Sequence, residues 1–128
     1  MNGNVRIETE KGDTLICDMF GVRAIAPFGT YLVRDIIRKR NAVYRRLTIE
    51  TYARTFTIDC EDGMYFATED GFKRADQLRA GDAIRIRGVY VPFRYSVIKQ
   101  IRRKKGGLVC YRLPSGSECV ANGMLVKF

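Results

Sequence analysis

The chain of 128 residues contains no histidine. It therefore offers no imidazole as a general acid near neutral pH and none to ligate a metal. Its four cysteines, Cys17, Cys60, Cys110 and Cys119, form no C-x-x-C pair. A zinc site would need all four scattered thiolates, and reduced, mostly buried thiols in a cytosolic protein are the plainer reading. Nothing in the sequence asks for a cofactor. No apolar run approaches the roughly 20 residues of a membrane-spanning helix. The opening Met1-Asn2-Gly3-Asn4-Val5-Arg6 lacks the apolar core of a signal peptide. A cytoplasmic location without a membrane contact is expected. Linkers, repeats of solenoid period and low-complexity segments are also missing, and the length suits one domain spanning 1–128.

Acidic residues are scarce. The chain holds 23 Lys and Arg against 14 Asp and Glu, a formal net charge of +9. The excess is one-sided: residues 1–64 carry ten basic and nine acidic groups, residues 65–128 thirteen and five. From Arg85 to Lys105 there is no acid at all, and Arg85, Arg87, Arg94, Lys99, Arg102, Arg103, Lys104 and Lys105 lie there beside Tyr90, Phe93 and Tyr95. Cations neutralise phosphates and aromatic faces stack on bases, so this stretch is a candidate nucleic-acid surface; an acidic protein is the other partner such charge would suit. The same stretch also reads as a solvated strand face, with Phe93 and Tyr95 turned inward beside Val91 and Val97 by period-2 alternation. Arg34, Arg38, Lys39, Arg40, Arg45 and Arg46 form a second basic cluster that would extend the surface if the fold brought the two together.

What is present is mostly strand and turn. Val5-Arg6-Ile7-Glu8 alternates apolar and polar, Val43 to Tyr52 reads as a strand leading through Ala53-Arg54 to the next, and Ala83-Ile84-Arg85-Ile86-Arg87 alternates strictly. Asp62-Gly63, Asp70-Gly71 and above all Asn122-Gly123 are tight-turn signals. Asp76 to Leu78 suits a single capped turn. Tyr31 to Arg40 fits either a helix capped by Thr30 or a strand. Pro92 demotes the middle of Val89–Ile98 to an edge or bulge. Ile98 to Gly107 reads as a strand ending in a basic hairpin tip, with Leu108 to Leu113 as the return. An all-β fold follows.

Four stretches resemble the Hint module shared by inteins and Hedgehog autoprocessing domains. Ala75-Asp76-Gln77-Leu78-Arg79-Ala80-Gly81-Asp82 is similar to that family's "a-x-x-L-x-x-G-D" return, and Thr57-Ile58-Asp59-Cys60 to its Thr-x-x-His, with cysteine in place of histidine. Val120-Ala121-Asn122-Gly123-Met124-Leu125-Val126 is similar to the end of the family, where Lys127-Phe128 replaces a His-Asn pair and Cys119 an aromatic. Gly12-Asp13-Thr14-Leu15-Ile16 is similar to the opening, which also reads as an ordinary hairpin turn; in the family a nucleophile lies five residues before that threonine, here Thr9. The resemblance implies an all-β, Hint-like horseshoe of bent antiparallel hairpins, with residues 1–8 as a leading strand or extein-like segment.

It also implies a site at Thr9, Thr57, Cys60, Arg112, Lys127 and Phe128. Family chemistry starts with an acyl shift onto the nucleophile, assisted by the histidine, and inteins finish when a terminal asparagine cyclises. Here Thr9 has no evident base, and a thiol at Cys60 is a poor proton donor to an amide. Arg112 stands where the family uses an aspartate, Lys127 donates a proton only if strongly desolvated, and Phe128 has no amide to cyclise. The expectation is a degenerate Hint-like domain kept as a binding or assembly module. The alternatives are an active, noncanonical autoprocessing domain and a basic nucleic-acid-binding β domain.

Overall fold

The computed structural model describes residues 1–27, 29–51, 55–88 and 93–128. Their regular structure is strand and short 3₁₀ turn only, an all-β fold. The first half contains β1 (Arg6–Thr9), β2 (Gly12–Leu15), a 3₁₀ turn at Ile16–Asp18, β3 (Arg23–Ala26), β4 (Gly29–Leu32), β5 (Ile37–Glu50) and β6 (Thr55–Cys60). The second contains β7 (Tyr65–Thr68), β8 (Gly71–Arg74), a 3₁₀ turn at Ala75–Gln77, β9 (Ala83–Arg87), β10 (Phe93–Val97), β11 (Gln100–Arg112), β12 (Glu118–Ala121) and β13 (Met124–Lys127). One sheet of ten strands runs β10-β9-β7-β13-β12-β1-β3-β4, with β2 and β8 attached as hairpin partners of β1 and β7; a second sheet runs β11-β5-β6. Among the described residues no helix is long and apolar enough to cross a membrane.

The two halves repeat one another. Thr9 Oγ1 donates to the Gly12 carbonyl while the Lys11 amide donates back to it, and Thr68 Oγ1 does the same with Gly71 and Asp70. Gly12 and Gly71 sit at φ 99° and 101°, a conformation in which a Cβ would be strained. The Ile16 amide then donates to Val5 O and Met19 N to Ile16 O; in the second half Ala75 N donates to Met64 O and Leu78 N to Ala75 O. Further along, Gly21 N donates to Val33 O and Gly81 N to Ile98 O. Val33 and Ile98, both buried, lead into the long strands β5 and β11, which pair with each other. Side chains from both halves fill one core, among them Ile7, Ile16, Met19, Leu47, Ile58, Phe66, Ile84, Ile86 and Val126. Met1, Val5 and Ile7 are buried in it, so the first residues are part of the packed body.

Three expectations change. Tyr31 to Arg40 forms no helix: β4 ends at Leu32 and β5 begins at Ile37. The basic hairpin tip does not exist, because β11 continues from Gln100 to Arg112 as one strand. Lys105 pairs with Val43 and Leu108 with Asn41, so Gly106-Gly107 is an irregularity inside the ladder, where two residues face one. Finally, Tyr95 and Val97 are exposed on β10, the last strand of its sheet. Pro92, Val91, Tyr90 and the Ala53-Arg54 junction lie outside the described residues. The Asn122-Gly123 turn is present as expected, with positive φ at both residues; the Asn122 side chain accepts from Arg6 N and donates to Thr57 O, tying β1 and β6 to the β12–β13 hairpin.

Candidate functional site

Among the described residues, Thr57 and Arg112 line different clefts, and Thr9, Cys60 and Phe128 are buried. Thr9 is buried at the β1–β2 turn, paired with Gly12 and Ala24, and its hydroxyl proton is committed to the Gly12 carbonyl. The twin arrangement at Thr68 identifies it as a turn-closing residue. Replacing either hydroxyl, by Thr9→Val or Thr68→Val, is expected to cost about 1 kcal/mol. Thr9→Ser and Thr68→Ser should be near neutral, as read by chemical denaturation. A catalytic Thr9 would instead leave stability almost untouched.

Thr57 and Cys60 are three residues apart on one continuous strand, and successive side chains of a strand alternate sides. Cys60 lies on the inward face of β6 with Ile58 and Phe56, all buried, while Thr57 is exposed on the outward face, where it lines a cleft with Arg46, Asp59 and Asn122. Burial, the largest cause, pushes the Cys60 thiol far above its ordinary range, with Glu61 adding to it. Cys119 is shifted upward by burial alone, and Cys110 is raised less, again chiefly by burial. A neutral thiol is a weak nucleophile. Lys127 pairs with Tyr65 and Glu118, and its ammonium lies 5.4 Å from the Phe72 ring. Phe128 is buried in the core, its amide donating to Ser117 O.

The structure assembles a different cleft, of about 390 Å³, lined by Lys39, Asn41, Val43, Glu61, Asp62, Gly63, Cys110 and Arg112. Of the expected residues only Arg112 belongs to it. The first residues of the chain run beside this cleft. The Met1 nitrogen donates to Glu61 Oε2 at 2.5 Å and to Tyr111 O at 2.9 Å, the Met1 carbonyl accepts from Tyr111 N, and Asn2 pairs with Cys110. Glu61 Oε1 and Arg112 Nε are both buried without a hydrogen-bond partner among the described residues. The cleft thus presents one unused acceptor and one unused donor, with the Cys110 thiol between β5 and the Met1 segment. This can hold a polar group, but it offers no activated nucleophile. Sequence reasoning missed Glu61 because its contact with Met1 spans the first sixty residues of the chain. No cluster of three or more Cys, Asp or Glu suited to a metal occurs among the described residues.

The basic stretch is also redistributed. Arg87 forms a bidentate ion pair with Glu8, and Arg85 and Arg87 lie 5.0 and 4.4 Å from the centroid of the half-buried Phe93 ring, so these two arginines knit β9 to β1 and β10. Lys99 is paired with Glu50. Arg94 is on the exposed edge strand. Arg102, Arg103, Lys104 and Lys105 lie opposite Arg46, Arg45, Tyr44 and Val43 on β5, so the two basic clusters of the sequence do meet.

No protein-family model matches the sequence, and no curated relative does. Solved structures match over nearly the whole chain. The gp41-1 intein is 16% identical at a TM-score of 0.81, covering 99% of this chain and 96% of that one. A DnaB intein from Synechocystis sp. PCC 6803 is 19% identical at 0.81, with 99% and 96% covered. The bacterial intein-like domain from Clostridium thermocellum is 18% identical at 0.79, again with 99% and 96% covered. The chain has the all-β fold of inteins and intein-like Hint domains, as its central and terminal motifs implied.

Proposed function

We propose that this chain is an intein-like domain without splicing or self-cleaving chemistry, retained as a binding or assembly module. The observation that carries the proposal is the residue held at the Glu61–Arg112 cleft. Met1 is there, its side chain fully buried, and a thioether has no proton to lose and forms no acyl ester. The hydroxyl of Thr9 closes a turn elsewhere. The thiols of Cys60 and Cys119 are sealed in the core, and burial raises that of Cys110 above its ordinary range. General acid–base assistance is typically worth about 10²–10⁴ in rate per group, and with neither nucleophile nor acid placed for it, backbone cleavage has no route through this site.

Intact mass spectrometry tests the reading directly. The purified protein is expected to keep one unchanged mass through a week at 25 °C, with and without a reducing thiol. Fragments accumulating at any single peptide bond, faster in the presence of thiol, would move the assignment to an active noncanonical autoprocessing domain.

A further inference from the structure

We infer that the β5–β11 ribbon is a docking surface for double-stranded nucleic acid, which supplies the partner for the binding-module reading above. β6 pairs only with residues 45–50 of β5, so from Tyr44 back to Ile37 the pair β5–β11 continues as a two-stranded ribbon. Along residues 37–44 and 104–112 it carries Arg38, Lys39, Arg40, Lys104, Lys105 and Arg112 and no acid, and Arg102 and Arg103 lie just beyond it, opposite Arg46 and Arg45. The ladder register sorts these by face. Cys60, Ile58 and Phe56 pair with Arg45, Leu47 and Ile49, which makes the odd-numbered positions of β5 the core-facing side from 45 to 49, while Ile37 and Lys39, on the same side of the ribbon, are exposed. The opposite side presents Arg38 and Arg40 from β5 and Arg102 and Lys104 from β11, together with Tyr44, Arg46, Thr48 and Gln100 and the half-buried Val109 and Tyr111, the last packed against the core.

Like charges on adjacent strands repel. Arg45 and Arg46 face Arg103 and Arg102 directly, yet each has an acid of its own: Asp62 accepts from Arg45 at 2.8 Å, and Asp59 holds Arg46 in a fork at 2.8 and 3.0 Å. Among the described residues no carboxylate pairs with Arg38, Arg40, Arg102 or Lys104. Within the chain, then, the β5 arginines at the sheet end are neutralised and the cations of the opposite face are left for an external polyanion. The outer face adds polar hydrogen-bonding groups and little exposed aliphatic surface, which suits phosphates and base edges better than acyl chains. A two-stranded antiparallel ribbon is also an element that the roughly 12 Å major groove of B-form DNA admits. Eight ribbon residues span about 26 Å, enough for cations on both strands to meet the phosphates that border the groove. Arginine predominates over lysine on this face, consistent with forked contacts to phosphate.

Gly107 is fitted to the same surface. A Cβ there would stand 2.5 Å from Arg40 Nε, so the Arg40 guanidinium lies across the glycine backbone within the irregular part of the ladder.

The test is fluorescence anisotropy with a DNA duplex of about 20 base pairs and arbitrary sequence, titrated across a series of salt concentrations. The wild-type chain should bind at about 50 mM salt with affinity falling steeply as salt rises, since each neutralised phosphate contributes about −0.9 to the slope of log K on log salt. The quadruple variant Arg38→Gln, Arg40→Gln, Arg102→Gln, Lys104→Gln should flatten that slope by about 3 and weaken binding at least about 30-fold at 100 mM salt. A matched variant that removes the exposed cations Arg6, Lys11, Arg23 and Arg79 changes the net charge equally and should lose less than about 3-fold. Gly107→Ala keeps the charge, displaces Arg40, and should weaken binding about 3-fold with an unchanged melting temperature. Absence of binding at low salt, or equal losses in the ribbon and control variants, overturns the proposal. Preferential binding to an acidic protein or to phosphatidylserine vesicles at the same salt overturns it too. Intact mass, recorded on the same samples, separates the two readings: a chain that cleaves yet binds duplex defeats the inert-module reading alone, and one that stays whole yet binds nothing defeats this one.

Discussion

Raising the pH above about 9 is expected to destabilise the folded protein by close to 3 kcal/mol per pH unit through two thiols alone. Cys60 and Cys119 are fully buried, and burial holds both thiols protonated well beyond the ordinary range. In the unfolded chain a cysteine ionises near 8.5. Below that value both states carry the proton and the contribution to stability is fully present. Above it the unfolded state has released protons that the folded state keeps, so stability falls as pH rises, by about 1.4 kcal/mol per unit for each thiol. Tyr31 acts in the same sense at higher pH: desolvation chiefly, and then Cys119, raises its hydroxyl, which donates to Glu118 O at 2.6 Å. Denaturant unfolding at pH 8, 9, 10 and 11, compared with the Cys60→Ala, Cys119→Ala double variant, isolates the effect because lysine titration is common to both. The wild-type dependence should be the steeper by about 3 kcal/mol per unit. Equal slopes would mean that these thiols reach solvent in the folded state.

Local alternation and turn chemistry were enough for much of this fold. The strict pattern of Ala83–Arg87 is β9 to the residue, with Ile84 and Ile86 buried. Asn122-Gly123 specified the closing hairpin because few residues besides these accept two successive positive φ angles. Gly106-Gly107 misled for a related reason. The pair is a turn signal locally, but here β5 supplies a partner on both sides of it, and a continuous ladder keeps more backbone hydrogen bonds than a tip would. The identity of Thr9 was legible in a way that went unused. Thr9-Glu10-Lys11-Gly12 and Thr68-Glu69-Asp70-Gly71 share the same spacing of threonine, glutamate and glycine, and both build the same turn. An internal comparison would have marked Thr9 as a structural residue. The Glu61–Arg112 cleft carried no such signal, since it is made by contacts between Met1, the end of β6 and the far end of β11, and none of these is near the others in sequence. The alternation of β6 bears on the remaining motif: Thr57 and Cys60, three apart on one regular strand, face opposite sides of it.

That geometry gives a second large effect. Installing the family's residues at the matching positions, Thr9→Cys with Cys60→His, is expected to lower stability by about 3–5 kcal/mol and to produce no cleavage after Glu8. Cys60 ends β6 with no exposed surface, packed with Ile58 and Leu47 in the main core. An imidazole is larger than a thiol, and forcing extra atoms into a filled core typically costs about 1–3 kcal/mol. Its ring nitrogens would add a penalty of about 1–3 kcal/mol where they find no partner. Thr9→Cys removes the hydroxyl that closes the first turn, worth about 1 kcal/mol more. Against a total stability of about 5–15 kcal/mol for an ordinary domain, the double variant stands near the edge of folding at 37 °C. The new thiol would sit at the β1–β2 tip while the new imidazole sat inside β6, so neither could assist the other. Thermal denaturation of the single and double variants, followed by mass analysis of whatever remains folded, checks both halves of the expectation. A double variant that melts with the wild type and breaks between Glu8 and the new cysteine on addition of thiol would show that Thr9 and Cys60 share a site, and would return the chemistry to the positions the family motif first marked.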